Sequence, residues 1–321
     1  MQKEISQIFT LTLNPSIDQV FKVAPLKIDE VNNVKEFFEI EAGKGVNVSK
    51  YLSHMKISST VCAFMSEKES SLFSLALNKL KINTLFELLE NSSVRKNITV
   101  LDESNKTTTH LRCQGFEINL LSQKNLFERI EKVIKPNDFL IISGSYPPGF
   151  NFEHFNKELK TLKNLKVNIF LDNNGASMSK IDETCHIFMK PNLSEFEEYV
   201  KEKFASIQEL FTFINQDKKI NKSSLLITLG SEGMIYSGIE GIFHVKLNVN
   251  PENIVSNVGC GDAALAGFIF GRIKELDIKL CLKYSIAFAV SKLGNAKVGN
   301  LDPKNIEELK NAAEVEEYKN F

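Results

Sequence analysis

Residues Val258–Phe268 read VGCGDAALAGF: two glycines bracket a cysteine, an aspartate follows, and small residues lead into an apolar stretch. The run suits a capped helix start, a dinucleotide fingerprint of the G-x-G-x-x-A type, or an anion-binding turn with a catalytic base beside it. The fingerprint belongs in an early βαβ unit and needs an acid about 20 residues on, at the end of the next strand. Here the run lies near the carboxyl end, and GRIKELDIKLCLKYSIAFAVSKL behind it is patterned as helix. A nicotinamide-dependent oxidoreductase is disfavoured on that ground. Taken alone, the stretch leaves Asp262 open as either helix cap or base.

Upstream, short apolar runs alternate with helical patterns. QIFTLTL (Gln7–Leu13), TVCAF (Thr60–Phe64), DFLIISG (Asp138–Gly144), VNIFLD (Val167–Asp172) and SLLITLG (Ser224–Gly230) have the composition of strands buried on both faces. NLFERIEKVIK, SEFEEYVKEKF and IQELFTFINQ carry the i, i+3, i+4 spacing of amphipathic helices. This alternation predicts an α/β fold with a mostly parallel central sheet and helices on both faces. From about 19 to 40 and from about 94 to 112 the pattern changes to strands that are polar at alternate positions. Those segments predict a small half-exposed sheet over the main body. With no internal repeat and no low-complexity linker, residues 1–321 are expected to form one domain with a discontinuous β lid.

The chain has 321 residues, long enough for a substantial core, and its net charge of -1 gives no general attraction to nucleic acid or an anionic membrane. Phosphate recognition would have to be local. Cys62, Cys113, Cys185, Cys260 and Cys281 are odd in number and contain no C-x-x-C pair. They are expected to be reduced, mostly buried thiols of a cytoplasmic protein rather than a disulfide framework or zinc site. The amino-terminal MQKEISQIFTLTLN carries an early acid and no long apolar region, unlike a signal peptide, and no run approaches a membrane span.

Ligands of an open parallel sheet bind beyond the carboxyl ends of its strands. Glycine-rich or polar turns gather at that predicted edge: TLNPSID, EAGKGVNV, SGSYPPGF, MKPNLSEF, LGSEGM and the VGCGD turn. The sequence has no G-x-x-x-x-G-K-[ST], no H-x-x-x-H and no G-x-S-x-G, which disfavours P-loop proteins, zinc hydrolases and α/β-hydrolases. A turn whose successive N–H groups face one concavity, at the positive end of a helix dipole, stabilises charge on a transferring phosphoryl group. An aspartate in the same turn can take the proton of an attacking hydroxyl. Cys260 has no histidine or basic residue nearby in sequence, so its side chain reads as packing rather than as a nucleophile.

In this order, TLNPSID, GKGVNV, VRKNITV, SGSYPPG, LDNNG, KPNLSE, LGSEG and VGCGDAALAGF resemble the motifs of the PfkB (ribokinase-like) family of carbohydrate kinases, nearly end to end. The branch they are most similar to acts on fructose 1-phosphate or tagatose 6-phosphate. The resemblance implies a ribokinase-like fold and ATP-dependent phosphorylation of a ketohexose phosphate to a bisphosphate, with fructose 1-phosphate preferred. It implies Asp262 as base and the backbone of Gly259, Cys260 and Gly261 as anion hole. Asp18, Gly43, Lys44 and Asn47 become sugar-side contacts, and Arg95 with Lys44, joined by Arg112, would hold the substrate phosphate. Asn192, Thr228, Gly230 and Gly233 would bind ATP, and Glu195 would hold Mg2+ through water. Some relatives also place a monovalent cation behind the anion hole, and in relatives the lid often forms a homodimer interface.

Plainer roles exist for the same residues. Lys44 suits a solvated surface, Arg95 an ion pair on an exposed sheet, and Asn192 with Glu195 an ordinary helix cap. The chain also departs from the branch at Ala42 (usually glycine), at the glycine-free MSEKESS, at Asn33 (usually arginine), and at Cys260 and Ala263. The first three lie on the substrate side. They motivate a rival reading, a sensor that binds ATP or sugar phosphate without turnover, which the intact Asp262 turn opposes.

Overall fold

Every residue of IFTLT (Ile8–Thr12) and FLIIS (Phe139–Ser143) is buried, as strands covered on both faces require. In FLIIS the neighbours separate cleanly, Leu140 and Ile142 entering one apolar cluster and Phe139 and Ile141 the other. The sheet therefore stands between two cores, with helices over each.

The computed structural model describes residues 6–182, 187–217, 220, 224–295 and 297–318. Its first third runs β1 (Ile8–Thr12), β2 (Ser16–Val23), β3 (Glu36–Ala42), α1 (Lys44–His54), β4 (Ser59–Ser66), α2 (Glu67–Lys79), β5 (Ile82–Leu89), β6 (Arg95–Asp102) and β7 (Thr107–Leu111). Next come α3 (Leu120–Glu131), β8 (Phe139–Ser143), α4 (Phe152–Asn164), β9 (Asn168–Asp172), α5 (Gly175–Met178), β10 (Phe188–Met189), α6 (Leu193–Val200) and α7 (Ile207–Gln216). The chain closes with β11 (Leu225–Thr228), β12 (Met234–Gly238), β13 (Gly241–Lys246), α8 (Cys260–Ile273), α9 (Ile278–Leu293), α10 (Pro303–Ala312) and β14 (Glu314–Glu317).

The main sheet has ten strands in the order β14-β13-β12-β11-β10-β9-β8-β1-β4-β5. From β5 across to β11 neighbours are parallel; the β11–β12, β12–β13 and β13–β14 pairs are antiparallel. Side chains of α2, α3, α4, α6 and α7 fill one core, and those of α1, α8, α9 and α10 the other. This is the mostly parallel, doubly covered sheet expected from the sequence. Strand order runs outward in opposite directions from β1 and β8, so a crevice opens at their carboxyl ends.

The two irregular segments pair into a separate four-stranded sheet, β3-β2-β6-β7. It begins at Ser16, slightly earlier than the sequence suggests, and β7 is exposed throughout. The β2–β6 register sets Ser16 against Arg95 and Asp18 against Asn97, so these four share a face. Helix α6 stops at Val200, short of the predicted Phe204, where Lys201 adopts a left-handed conformation (φ 61°). Cys185 lies outside the described residues. No helix among the described residues is long and apolar enough to cross a membrane.

Candidate active site

The VGCGD turn starts α8, and Gly259, not Asp262, is its N-cap, with no side chain bonding the helix start. The cap reading of Asp262 therefore fails on geometry: the residue sits in the third helical position. The Cys260 N–H is taken by Asn257 O at 3.3 Å, whereas the N–H groups of Gly259, Gly261 and Asp262 have no partner among the described residues. Unpaired donors at a helix start suit an anion, and two of these three lie in the expected Gly259–Gly261 span, while the Cys260 N–H is engaged. The Cys260 thiol, pushed up to about 11 by burial, stays neutral, in keeping with a packing role.

Asp262 is only 5% exposed, and among the described residues its carboxylate accepts one hydrogen bond, from Asn47 Nδ2 of α1 at 2.7 Å. Burial pushes its pKa up to about 6, the nearby Asp172 adding to the rise while Lys44, Asn47 and Lys190 oppose it. Such a carboxylate is ionised at neutral pH and yet able to take a proton.

Asp172, at the end of β9, is fully buried and organises the cations around this base. Its Oδ1 meets Lys44 Nζ and Lys190 Nζ, each at 3.2 Å, and its Oδ2 accepts from Ser143 Oγ at 3.1 Å. Burial raises the Asp172 pKa, but Lys190 and Lys44 outweigh it and hold the carboxyl below its ordinary value. Asp172 in turn holds the Lys44 ammonium well above its ordinary range. Lys44 thus joins the floor of the site beside Asp262, with its side chain 40% exposed and lining the cavity.

All the residues singled out in the sequence line one cavity of about 1200 Å³. On one side lie Thr228, Gly230, Gly233, Asn192 and Glu195. Asn192 Oδ1 accepts from Glu195 N, and Glu195 Oε2 accepts from Asn192 N, both at 2.8 Å, so these two do form a capping box while facing the cavity. Ile286, Ala289, Val290 and Leu293 of α9 complete this side with an apolar wall.

On the other side the second sheet roofs the cavity. Asp18 Oδ1 accepts from Ser16 Oγ at 2.8 Å and Asn97 Nδ2 at 2.9 Å, which fixes its carboxylate. Arg95 donates to Asn14 O at 3.0 Å and Cys113 O at 3.3 Å, rather than to an acid, and its Nε is buried without a partner. Burial lowers the Arg95 pKa, and Arg112 adds to this against the pull of Asp18. Two cavity-lining arginines close enough to repel suit an anion between them.

Sequence reasoning gave no role to Asp172, Lys190, Ser16 or Asn97, all of which line the cavity. Asp172 and Lys190 stand in LDNNG and KPNLSE, and the signal was available in each, since Asp172 ends a strand and Lys190 follows one at the carboxyl edge. Their partnership was not, because only the fold brings them together.

A crevice of this fold with a buried acid at a glycine-lined helix start defines a phosphotransferase-like site. The chain belongs to the pfkB family of carbohydrate kinases, whose model matches residues 11–305. It is similar to the 1-phosphofructokinase of Haemophilus influenzae, 27% identical over 304 residues that cover 93% of this chain and 96% of that one. It is also similar to the tagatose-6-phosphate kinase of Staphylococcus epidermidis, 26% identical over 311 residues, 96% and 99% of the two chains. Among solved structures, phosphofructokinase-2 from Escherichia coli in complex with potassium superposes with a TM-score of 0.86 at 18% identity, covering 95% and 98%.

Proposed function

We propose that the chain transfers the γ-phosphoryl group of ATP to a hydroxyl of a ketohexose phosphate, with fructose 1-phosphate the preferred acceptor and fructose 1,6-bisphosphate the product. The observation that carries this is the placing of the Asp262 carboxylate beside the unpaired Gly261 and Asp262 N–H groups. Asp262 takes the proton of the attacking hydroxyl, whose oxygen bonds to the γ-phosphorus as the bond to the β,γ-bridging oxygen breaks and ADP leaves. The two N–H groups and the Lys44 and Lys190 ammoniums face the charge that develops on the transferred group.

Asp18, held by Ser16 and Asn97, accepts hydroxyls of the sugar, and Arg95 with Arg112 takes its phosphate. The apolar wall of α9 suits the base of ATP, and Thr228, Gly230, Gly233 and Asn192 lie along the rest of the nucleotide side. Magnesium, which the family implies, would neutralise phosphate charge when bound. No cage of three His, Cys, Asp or Glu occurs among the described residues, so Asn192 and Glu195 would hold it through water, the mode magnesium favours.

In this reading residues 1–321 are one kinase domain in which the second sheet closes as a lid that keeps water from the phosphoryl group. The exposed edge strand β7, ending in the exposed Leu111, supports pairing of two chains through that sheet. The comparable similarity to the tagatose-6-phosphate kinase favours tagatose 6-phosphate as the second reading. An ADP-release panel over fructose 1-phosphate, fructose 6-phosphate, tagatose 6-phosphate and unphosphorylated hexoses tests both. Activity is expected on phosphorylated ketohexoses alone. ATP binding with no sugar-dependent ADP release would establish the sensor instead.

A further inference from the structure

Lys292, in the last turn of α9, is fully buried, yet among the described residues no carboxylate pairs with it. Lone buried ammoniums are costly, so the surroundings must compensate the charge. Its Nζ donates to two backbone carbonyls, Asn295 O at 2.5 Å and Ser256 O at 3.4 Å. Both oxygens lie at the negative end of the α9 dipole. They also belong to the two loops that back the α8 start. Val255 N and Ser256 N donate to Leu293 O at 2.8 and 3.1 Å, and Cys260 Sγ lies 3.9 Å from Ser256 O. Among the described residues the charge is met by carbonyl oxygens alone, the type of ligand otherwise given to a free monovalent ion.

We propose that Lys292 is a built-in cation: its ammonium stands behind the anion-binding start of α8 and does the work of a bound potassium ion. It locks the Val255–Val258 segment to the turn after α9, so that the Gly261 and Asp262 N–H groups stay aimed into the cavity without any added ion. A free cation close to Nζ would meet strong repulsion in this buried setting, so the carbonyls do not accept both. The monovalent-ion requirement expected from some relatives is thereby replaced by a side chain. The inference rests on reading the α8 start as the site of phosphoryl transfer, and it makes Lys292 a positioning residue that touches neither substrate.

The test compares the full chain in potassium and tetramethylammonium salts of equal ionic strength, by thermal unfolding and by affinity for a non-hydrolysable ATP analogue. For the natural chain the affinities should agree within about twofold and the melting temperature should not move, since no cation binds the native state. Lys292→Met should acquire a response, potassium or ammonium raising its melting temperature and tightening the analogue by about tenfold. A natural chain stabilised by potassium overturns the proposal, as does a folded Lys292→Met that behaves like the natural chain in both salts. Should Lys292→Met fold only with potassium or ammonium present, the proposal stands. Should it fold in no salt, melting of the natural chain decides alone, potassium response overturning the proposal and indifference sustaining it. Neither readout involves sugar turnover, so a wrong assignment of the acceptor leaves the result intact.

Discussion

Asn47 Nδ2 donates to Asp262 Oδ2 across 2.7 Å, although 215 positions separate the two residues in the chain. The bond joins the start of α1 to the start of α8 and holds the carboxylate on one oxygen; in the proposed reaction Oδ1 receives the proton of the substrate hydroxyl. Asp262→Asn keeps an oxygen for Asn47 but removes the proton acceptor. The variant should lose about 10²–10⁴ in kcat, the range of a general base, while ATP affinity stays within about twofold. Isothermal titration with the ATP analogue beside an ADP-release assay checks both, and retained turnover would return Asp262 to a structural role.

The pH dependence follows from burial pushing Asp262 up to about 6. The base must be ionised, so kcat/KM should climb with pH and level off above about 6. Stability runs the other way. The native state binds this proton more tightly than the unfolded chain, so the group's contribution is complete below about pH 4 and is lost as pH rises through about 6. Asp262→Asn should therefore be the more stable protein at neutral pH, by about 1–3 kcal/mol, with the difference vanishing in acid. Urea unfolding of both proteins at several pH values measures it.

What the sequence made legible was whatever depends on local pattern. The doubly buried strands, the amphipathic helices and the polar strands of the second sheet all follow from periodicity, and they appear where that periodicity places them. Many cavity residues were legible from the turns after strands, although Asp18 and Arg95 prove to lie within β2 and β6. Two things were not. The ends of elements depend on single backbone conformations, such as left-handed Lys201 closing α6 before its apolar pattern runs out. The charge knot at Asp172 unites residues from α1, β9 and the segment after β10, and no window of sequence contains all three. Lys292 escaped notice for a related reason, since a lysine at the end of a helix normally faces water.

Asp172→Asn tests that knot. Lys190 is buried and would be left without its carboxylate, which typically costs about 3–5 kcal/mol. The melting temperature should fall, and a second effect should accompany it. Asp172 raises the Asp262 pKa while Lys44 and Lys190 lower it. With Asp172 neutral, the acid limb of kcat/KM should move to lower pH. A merely destabilised protein would keep the limb where it was.

The two glycines of the VGCGD turn should respond differently. Gly259 has φ 85°, and a Cβ there would lie 2.8 Å from both Tyr51 Oη and Val298 Cγ1. Gly259→Ala is expected to lose about 1–3 kcal/mol of stability through strain and collision. A Cβ on Gly261 would meet only Lys190 Nζ, at 3.3 Å and at the end of a flexible side chain. Gly261→Ala should fold normally, with helix propensity in its favour by up to about 1 kcal/mol. Its methyl group nonetheless crowds the space over the free amides, and kcat should drop by about 10²-fold, the scale of losing one oxyanion donor. Thermal melts and turnover of the pair separate fold from function.

Arg95 makes the sharpest prediction about the acceptor, because it lines the cavity while its Nη1 and Nη2 are anchored to Cys113 O and Asn14 O. A guanidinium fixed in that way is pre-set to offer its remaining Nη N–H groups to phosphate oxygens. Arg95→Ala should raise the KM for the sugar phosphate by about 10–100-fold, the value of a charge-assisted hydrogen bond, without changing the KM for ATP. Arg95→Lys should recover only part of the loss, since an ammonium keeps the charge but not the fork. Equal losses for ATP and sugar phosphate would instead mean that Arg95 supports the lid as a whole, through Asn14 and Cys113, and that the substrate phosphate lies elsewhere.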